Sequence, residues 1–339
     1  MQRGVPSKAP SFPAGIAMTS ARLLAALCSL APIGLAIAQP TQDYPRRPIR
    51  IVTAEPGGGN DFAARVIVQG IGGALGQPVI VDNRGGAGGQ IAAEIVARAN
   101  PDGHTLILYA NNIWIIPLLQ SKPTYDAVRD FAPITWAAKS TNILVVHPSI
   151  PVQTVEEFIA YVKARPGKLN YGAGGNGSST HLAVELFKSM AKVDLVRVTF
   201  KGNGPALNAL FAGEVQMMIA TAGTVTSHLK SGRLKGLAVT SPQPSPLAPG
   251  LPTMASAGLP GYESLQIYGV FAPANVSQAI IKRLNQELVR VLGQQEAKDK
   301  LVGNGMEPVG STPQLLGETM KAEIVRIGKV IKDARIPRD

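Results

Sequence analysis

The sequence predicts an α/β protein of two lobes, each a mostly parallel sheet flanked by helices. Three observations predict it. Short apolar runs at residues 49–53, 79–81 and 105–109 alternate with helical patterns at 62–75 and 91–99. Two extended runs, 134–147 and 265–271, bracket a middle block with strand–helix–strand units of its own. The helices after the second run have no strands of their own to cover. The chain is therefore read as leaving lobe 1 (43–140 plus 266–339), building lobe 2 (141–265) and returning, with the two crossings as a hinge. At 339 residues it has the length for two such units.

Residues 1–38 read as a signal peptide. Arg3, Lys8 and Arg22 precede an apolar run over 23–37, and no acid occurs before Asp43. Ala36-Ile37-Ala38 has the small-x-small pattern of a cleavage site, placed after Ala38. The apolar run is interrupted by Pro32 and is shorter than the roughly 20 residues of a membrane span. Met18 would be a tidier initiator. Cys28, the single cysteine, lies inside this segment behind Leu27, a poor context for lipid attachment. The mature chain is thus expected to be exported, without thiol or disulfide and without stable membrane insertion. Removing the three basic residues of the leader leaves 30 basic against 22 acidic residues, a net charge of +8. The positive charges are scattered and not interleaved with aromatics. With export, this argues against nucleic acid and leaves a mild attraction for anions.

Each element has a local reason. The pattern Phe62, Val66, Ile67, Ile71, Leu75 lies on one helical side, and Gly76-Gln77-Pro78 stops it. Pro101-Asp102-Gly103 marks a turn before the strand at 105–109. Thr154 and Glu157 have capping-box spacing for a helix to about Ala164. Strands are read at 195–200, 215–220 and 236–240, and helices at 206–212 and 225–231. Residues 241–260, rich in Pro, Ser and Gly, read as surface loop. An amphipathic helix follows over 277–292. Thr312-Pro313 supplies a cap and a first-turn proline for the last helix, to about Ala334.

Two stretches carry the chemistry. In residues 169–186, LNYGAGGNGSSTHLAVEL, a strand runs into Gly172, Gly174, Gly175 and Gly177, then Ser178, Ser179 and Thr180 at a helix start. Residues 49–64 echo it, with Glu55, Pro56, Gly57, Gly58, Asn60 and Asp61 between strand and helix. Each places flexible backbone at a helix N-terminus, where free N–H groups and the positive end of the dipole suit an anion. The reading is that the two loops face each other across a cleft and hold a small carboxylate. Plain structural turns are the alternative, with Asp61 as a first-turn acid. The glycines at 172–177 spell G-x-G-x-x-G, but Asp194 precedes the next strand where a dinucleotide site needs it at the strand's end. Residues 84–90 form a third Gly-rich turn, read as structural. No nucleophile elbow, Walker sequence or H-E-x-x-H occurs, and His104, His147, His181 and His228 lack metal-ligand spacing. No metal and no cofactor is implied. His181 near Ser178 and Ser179 leaves open an exported Ser/His hydrolase, for which no orienting acid is found. Lys201 is a possible anion contact.

The segments PGGGNDFAARV, ALGQPVIVDNRGGAGGQIAAEIVA, PDGHTLIL, RPGKLNYGAGGNGSSTHLAVELF and FKGNGPALNALFAGEVQ, in this order, resemble the Bug/TctC family. These are extracytoplasmic solute-binding receptors of tripartite tricarboxylate transporters. The resemblance runs from about Tyr44 to Ile336. It implies a two-lobed periplasmic binding protein of the type II-like, Venus-flytrap kind, a non-enzymatic receptor that delivers a mono- or dicarboxylate to a membrane permease. It also implies that the 56–61 and 174–180 loops hold the carboxylate, with contacts near Asn111 and Asn112 and at Thr221 after the 215–220 strand. Three departures bear on the ligand, the first being Ala54 where many relatives carry an aromatic, which leaves space for an aromatic acid. Ala220 stands where many relatives carry an Asp suited to an ammonium, which argues for organic acids. Glu55 stands where relatives have a small residue or proline, which argues for amines. A receptor that feeds a membrane sensor fits the same sequence.

Overall fold

A computed structural model describes residues 44–174, 178–200 and 202–338. The predicted leader and its cleavage site lie outside the described residues, as do Gly175, Gly177 and Lys201. The chain from residue 43 onward forms one compact unit.

The first part runs β1 (Ile49–Thr53), α1 (Gly59–Leu75), β2 (Val79–Asn83), α2 (Gln90–Ala97), β3 (Thr105–Ala110) and α3 (Asn112–Ile115). Then follow β4 (Phe131–Val146), α4 (Val155–Lys163), β5 (Asn170–Ala173), α5 (Ser179–Ala191), β6 (Val196–Thr199) and α6 (Asn203–Phe211). The rest is β7 (Met217–Thr221), α7 (Ala222–Lys230), β8 (Lys235–Val239), β9 (Leu265–Pro273), α8 (Gln278–Gly293), α9 (Gln295–Gly303), β10 (Glu307–Pro308) and α10 (Pro313–Asp333).

The strands join in the order β2-β1-β3-β9-β4-β7-β5-β6, with β8 and β10 paired to β4. β1 pairs with β2 and β3 in parallel, and β5 pairs with β6 and β7 in parallel, as short buried runs linked by helices require. The crossing strands are antiparallel. β4 pairs with β9 up to Thr141↔Leu265 and with β7 from Asn142↔Thr221 onward. One strand of 16 residues, roughly 50 Å long, thus belongs to two half-sheets, and the changeover falls between Thr141 and Asn142.

Both faces of each half-sheet are covered. Ile49 and Ile51 of β1 pack with Ile67 and Ile71 of α1 and Leu284 and Leu288 of α8. Val52, one step out of phase, packs on the opposite face with Val96, Trp114, Leu316 and Met320, the two-residue alternation of a strand. In the second half-sheet, Leu144 and Ile219 join α4 and α5 through Phe158 and Phe187, while Ile143 and Met218 join α6 and α7 through Leu210 and Val225. α10 serves both halves: Leu316, Met320 and Ile327 sit in the first-half core, and Val330 in the second.

The capping signals hold. Thr154 and Glu157 form the full capping box, and Thr312 accepts the Leu315 N–H ahead of Pro313. Other expectations change. α7 starts at Ala222, directly after β7, three residues earlier than its polar sequence suggests. α9 is a separate helix that the periodicity misses. The C-terminal helices do have a strand between them, because Glu307 and Pro308 pair with Lys139 and Ala138 of β4. The 241–260 segment is no loose surface loop: Ser241, Ser245, Leu247, Ala248, Met254, Ala257 and Leu259 are buried. Its prolines and glycines shape a chain that packs back on β8, where the Val239 N–H donates to the Pro252 carbonyl and the Val239 carbonyl accepts the Met254 N–H.

Candidate functional site

The two loops chosen from sequence are built differently. After β1 the chain turns through exposed Glu55, Pro56, Gly57 and Gly58 into α1. The Asp61 carboxylate folds back and accepts from the Gly57 N–H at 2.9 Å, Asn83 Nδ2 at 2.8 Å and Arg65 Nε at 3.0 Å. Asn83 Nδ2 also donates to the Ala54 carbonyl at 2.6 Å. Burial pushes the Asp61 carboxyl up, but the bonds from Arg65, Asn83 and Gly57, with the Arg65 charge, outweigh it and hold it below the usual carboxylate range. Asn60 Oδ1 accepts the Ala110 N–H at 2.7 Å. Both side chains thus brace the loop and leave its backbone to face outward.

Glu55 turns away along the 84–90 turn. A Cβ on Gly85 would fall 2.0 Å from Glu55 Cδ. Its charge adds to burial in pushing the Tyr109 phenol up to about 12. Asn111 is buried, and its Nδ2 donates to the Leu265 carbonyl and to Glu323 Oε1, each at 3.0 Å. Trp114 Nε1 donates to the other Glu323 oxygen at 2.7 Å. Asn111 therefore ties β9 to α10 in a polar knot, and Asn112 opens α3 beside it.

In the second loop Ser178 caps α5, its Oγ accepting the His181 N–H at 3.3 Å. A Cβ on Gly174 would lie 3.2 Å from that Oγ. Thr180 is buried, and its hydroxyl donates to Asn203 Oδ1 at 3.3 Å. Burial, followed by the nearby Arg197 charge, pushes the His181 imidazole down to about 4, so it is neutral at neutral pH.

Asn203 leads to the cavity. A cleft of about 500 Å³ is lined by Gly59, Ser140, Asn203, Thr221, Gly223, Thr224, Gln266, Tyr268, Asn304 and Met306, with both half-sheets contributing. Three helices open on it: α1 at Gly59, α6 at Asn203 and α7 at Thr221 and Gly223. Among the described residues none of the three has a side-chain cap, whereas α4, α5, α8 and α10 do. Their first-turn N–H groups lack helical acceptors, and their dipoles present positive ends. No acidic or basic side chain is among the described lining residues. Gly59 is required by close approach: a Cβ there would meet the Tyr268 hydroxyl at 2.6 Å and Met306 Cε at 2.9 Å. Burial pushes the Tyr268 phenol up, so it stays a neutral donor. Among the described residues no three His, Cys, Asp or Glu side chains gather as a metal site.

A family model described as the tripartite tricarboxylate transporter family receptor matches residues 63–336. This chain belongs to that receptor family. Protein BugT of Bordetella pertussis is 33% identical, over 93% of this chain and 98% of its own. Rpa4515 of R. palustris, solved with adipate, is 37% identical with a TM-score of 0.75, over 87% of this chain and 99% of its own. MatC (Rpa3494) from Rhodopseudomonas palustris, solved with bound malate, is 32% identical with a TM-score of 0.72, over 85% and 100%. The receptor family is not one of enzymes, which sets aside the hydrolase alternative. No helix among the described residues is long and apolar enough to cross a membrane.

Of the residues singled out in this receptor's sequence, Thr221 lines the cleft, Thr180 touches it through Asn203, and the 56–61 loop delivers Gly59 to it. Asn111 and Asn112 are not brought to its described wall. Ala220 is buried among Ile143, Leu210 and Val225, so that position presents no side chain to the cleft. Sequence reasoning missed Ser140, Asn203, Thr224, Gln266, Tyr268 and Asn304. Asn203 was findable, since Gly202-Asn203-Gly204-Pro205 is another Gly-rich helix start. Gln266 and Tyr268 belong to a crossing strand whose own pattern carries no ligand signal.

Proposed function

We propose that this receptor captures a small organic anion, a mono- or dicarboxylate, in the cleft and delivers it to a tripartite tricarboxylate-type membrane permease. The observation that carries the reading is the meeting of three uncapped helix N-termini in a cleft whose described lining holds no charged side chain. A carboxylate there accepts from backbone N–H groups and from the hydroxyls of Thr221, Thr224 and Tyr268. The 56–61 loop forms one wall through Gly59, and Thr180 supports the opposite one through Asn203. Glu55, turned toward Gly85, stands outside the described lining of the cleft. The lobes 43–140 plus 266–339 and 141–265 close about the Thr141 and Leu265 crossings, and the closed form docks on the permease. The relatives solved with adipate and with malate support a carboxylate ligand. The chain works in the periplasm after cleavage behind Ala38.

Thermal unfolding of residues 39–339 against carboxylates and amino acids tests this. A ligand at 100 times Kd stabilises the folded form by about 2.7 kcal/mol. A shift with organic acids and none with amino acids is expected. Shifts confined to amino acids, or no shift with an intact fold, would remove the carboxylate reading.

A further inference from the structure

We infer that Asn142 sets ligand specificity by meeting a second oxygen-bearing end of the ligand, directly or through one water. The inference rests on the reading of the cleft as a carboxylate site. Asn142 is fully buried, yet among the described residues neither Nδ2 nor Oδ1 has a hydrogen-bond partner. Among the described residues only this side chain strands both a donor and an acceptor. Its backbone is fully engaged: the N–H donates to Thr240 Oγ1 at 3.0 Å and the carbonyl accepts the Thr240 N–H at 2.9 Å. The strand is therefore well made, and the deficit belongs to the side chain alone. A buried amide left unpaired is costly, and such groups in folded proteins are met by water, protein or ligand.

The register says which of these is within reach. Asn142 pairs with Thr221 across the antiparallel β4–β7 ladder, and directly opposed residues share a face. Thr221 lines the cleft. Ser140, two residues back on the same strand, lines it too, and alternate residues share a face. Two independent relations thus put the amide on the cleft side, just behind Thr221. It also sits at the first residue past the changeover between β9 and β7, where the two half-sheets meet. A ligand seated by one carboxylate at the helix ends places its far end toward this strand. The amide offers Nδ2 to a carboxylate or hydroxyl oxygen and Oδ1 to a hydroxyl or a bridging water. A bifunctional acid satisfies it, and an alkyl chain end leaves it stranded.

The test compares the wild-type protein with Asn142→Leu, close in shape and without polar atoms, and Asn142→Asp. Affinities are measured calorimetrically for straight-chain C4–C6 dicarboxylates and for monocarboxylates of the same lengths. Asn142→Leu is expected to lose tenfold or more in dicarboxylate affinity and to leave monocarboxylate affinity unchanged. Its ligand-free melting temperature is expected to hold or rise, because the stranded amide is gone; a merely structural amide would lower it. Asn142→Asp, which keeps the shape, is expected to reject dicarboxylates selectively through like charge, and it serves if the Leu variant does not fold. Equal losses for both ligand classes, or no loss, overturn the role of Asn142 while the carboxylate site stands. Wild-type protein that binds only monocarboxylates overturns it as well. Wild-type protein that binds neither class overturns the carboxylate reading and this inference together.

Discussion

Gly223 and Gly305 lie back to back, so close that a Cβ on Gly305 would fall 2.5 Å from Gly223 Cα. Gly223 opens α7 on one side of the cleft, and Gly305 follows α9 on the other. A Cβ on Gly223 would meet the Asn304 carbonyl at 2.9 Å. Gly223→Ala does not ask for an unusual φ, whereas Gly305 sits at +73°. The Ala variant at 223 is therefore expected to fold and to hold the two sides apart. Overpacking costs on the order of 1–3 kcal/mol in the fold that makes this contact, so the melting temperature of the empty protein should fall, and ligand affinity should fall with it by up to roughly 150-fold. Unaltered affinity by calorimetry would show that ligand capture does not need this contact.

His181 makes stability depend on pH. Its native imidazole titrates near 4, against about 6.5 when unfolded. Between those values the unfolded chain binds more protons, so stability rises with pH across that window and is lost as pH falls through it. The full effect is on the order of 3 kcal/mol. His181→Gln should flatten the slope of unfolding free energy between pH 6.5 and 4. Identical wild-type and variant slopes in urea titrations would refute the assignment.

Asp61 acts with the opposite geometry and the same direction. Its carboxylate is held below its ordinary range, so the stability it contributes is present above about pH 4 and is lost as pH drops further. Asp61→Asn keeps one acceptor oxygen but removes the other and the charge that pairs with Arg65, and should cost about 1–2 kcal/mol in urea unfolding at pH 7, the difference shrinking only in strong acid. Because the loop backbone is part of the cleft wall, ligand affinity should fall with it.

Ser178→Ala with Thr180→Val tests the second loop. It removes the α5 cap, about 1 kcal/mol of stability, and the link from Thr180 to Asn203. Ligand affinity is expected to weaken by about 1–3 kcal/mol. Calorimetry that finds no change would take this loop out of the site.

These positions show what a sequence does and does not reveal. Thr154 and Thr312 announce their helices because a cap is a local bond, complete within four residues. The glycines before α1 and α5 announce close backbone approach for the same reason. Tyr268 gives no warning, because its value to the site comes from Gly59, more than two hundred residues away. Asn142 gives none either. In sequence it is the last of four polar residues, Lys139 to Asn142, inside an extended run, and only its pairing with Thr221 points to the cleft. The 241–260 segment misled because proline and serine content reports turns, and turns can be buried when other chain covers them.

α10 has a consequence for how the molecule opens. Leu316, Met320, Ile327 and Ile331 seat it along its length in the core of one half, while among the described residues Val330 alone reaches into the core of the other. Arg326 also holds the Glu263 carbonyl near the return crossing. A clamshell with a splint laid along both shells cannot swing wide. To widen the gap, Val330 would have to slip out of its seat while Ile327 and Ile331 keep theirs. Any opening is expected to proceed by small sliding steps of packed side chains, read at Val330.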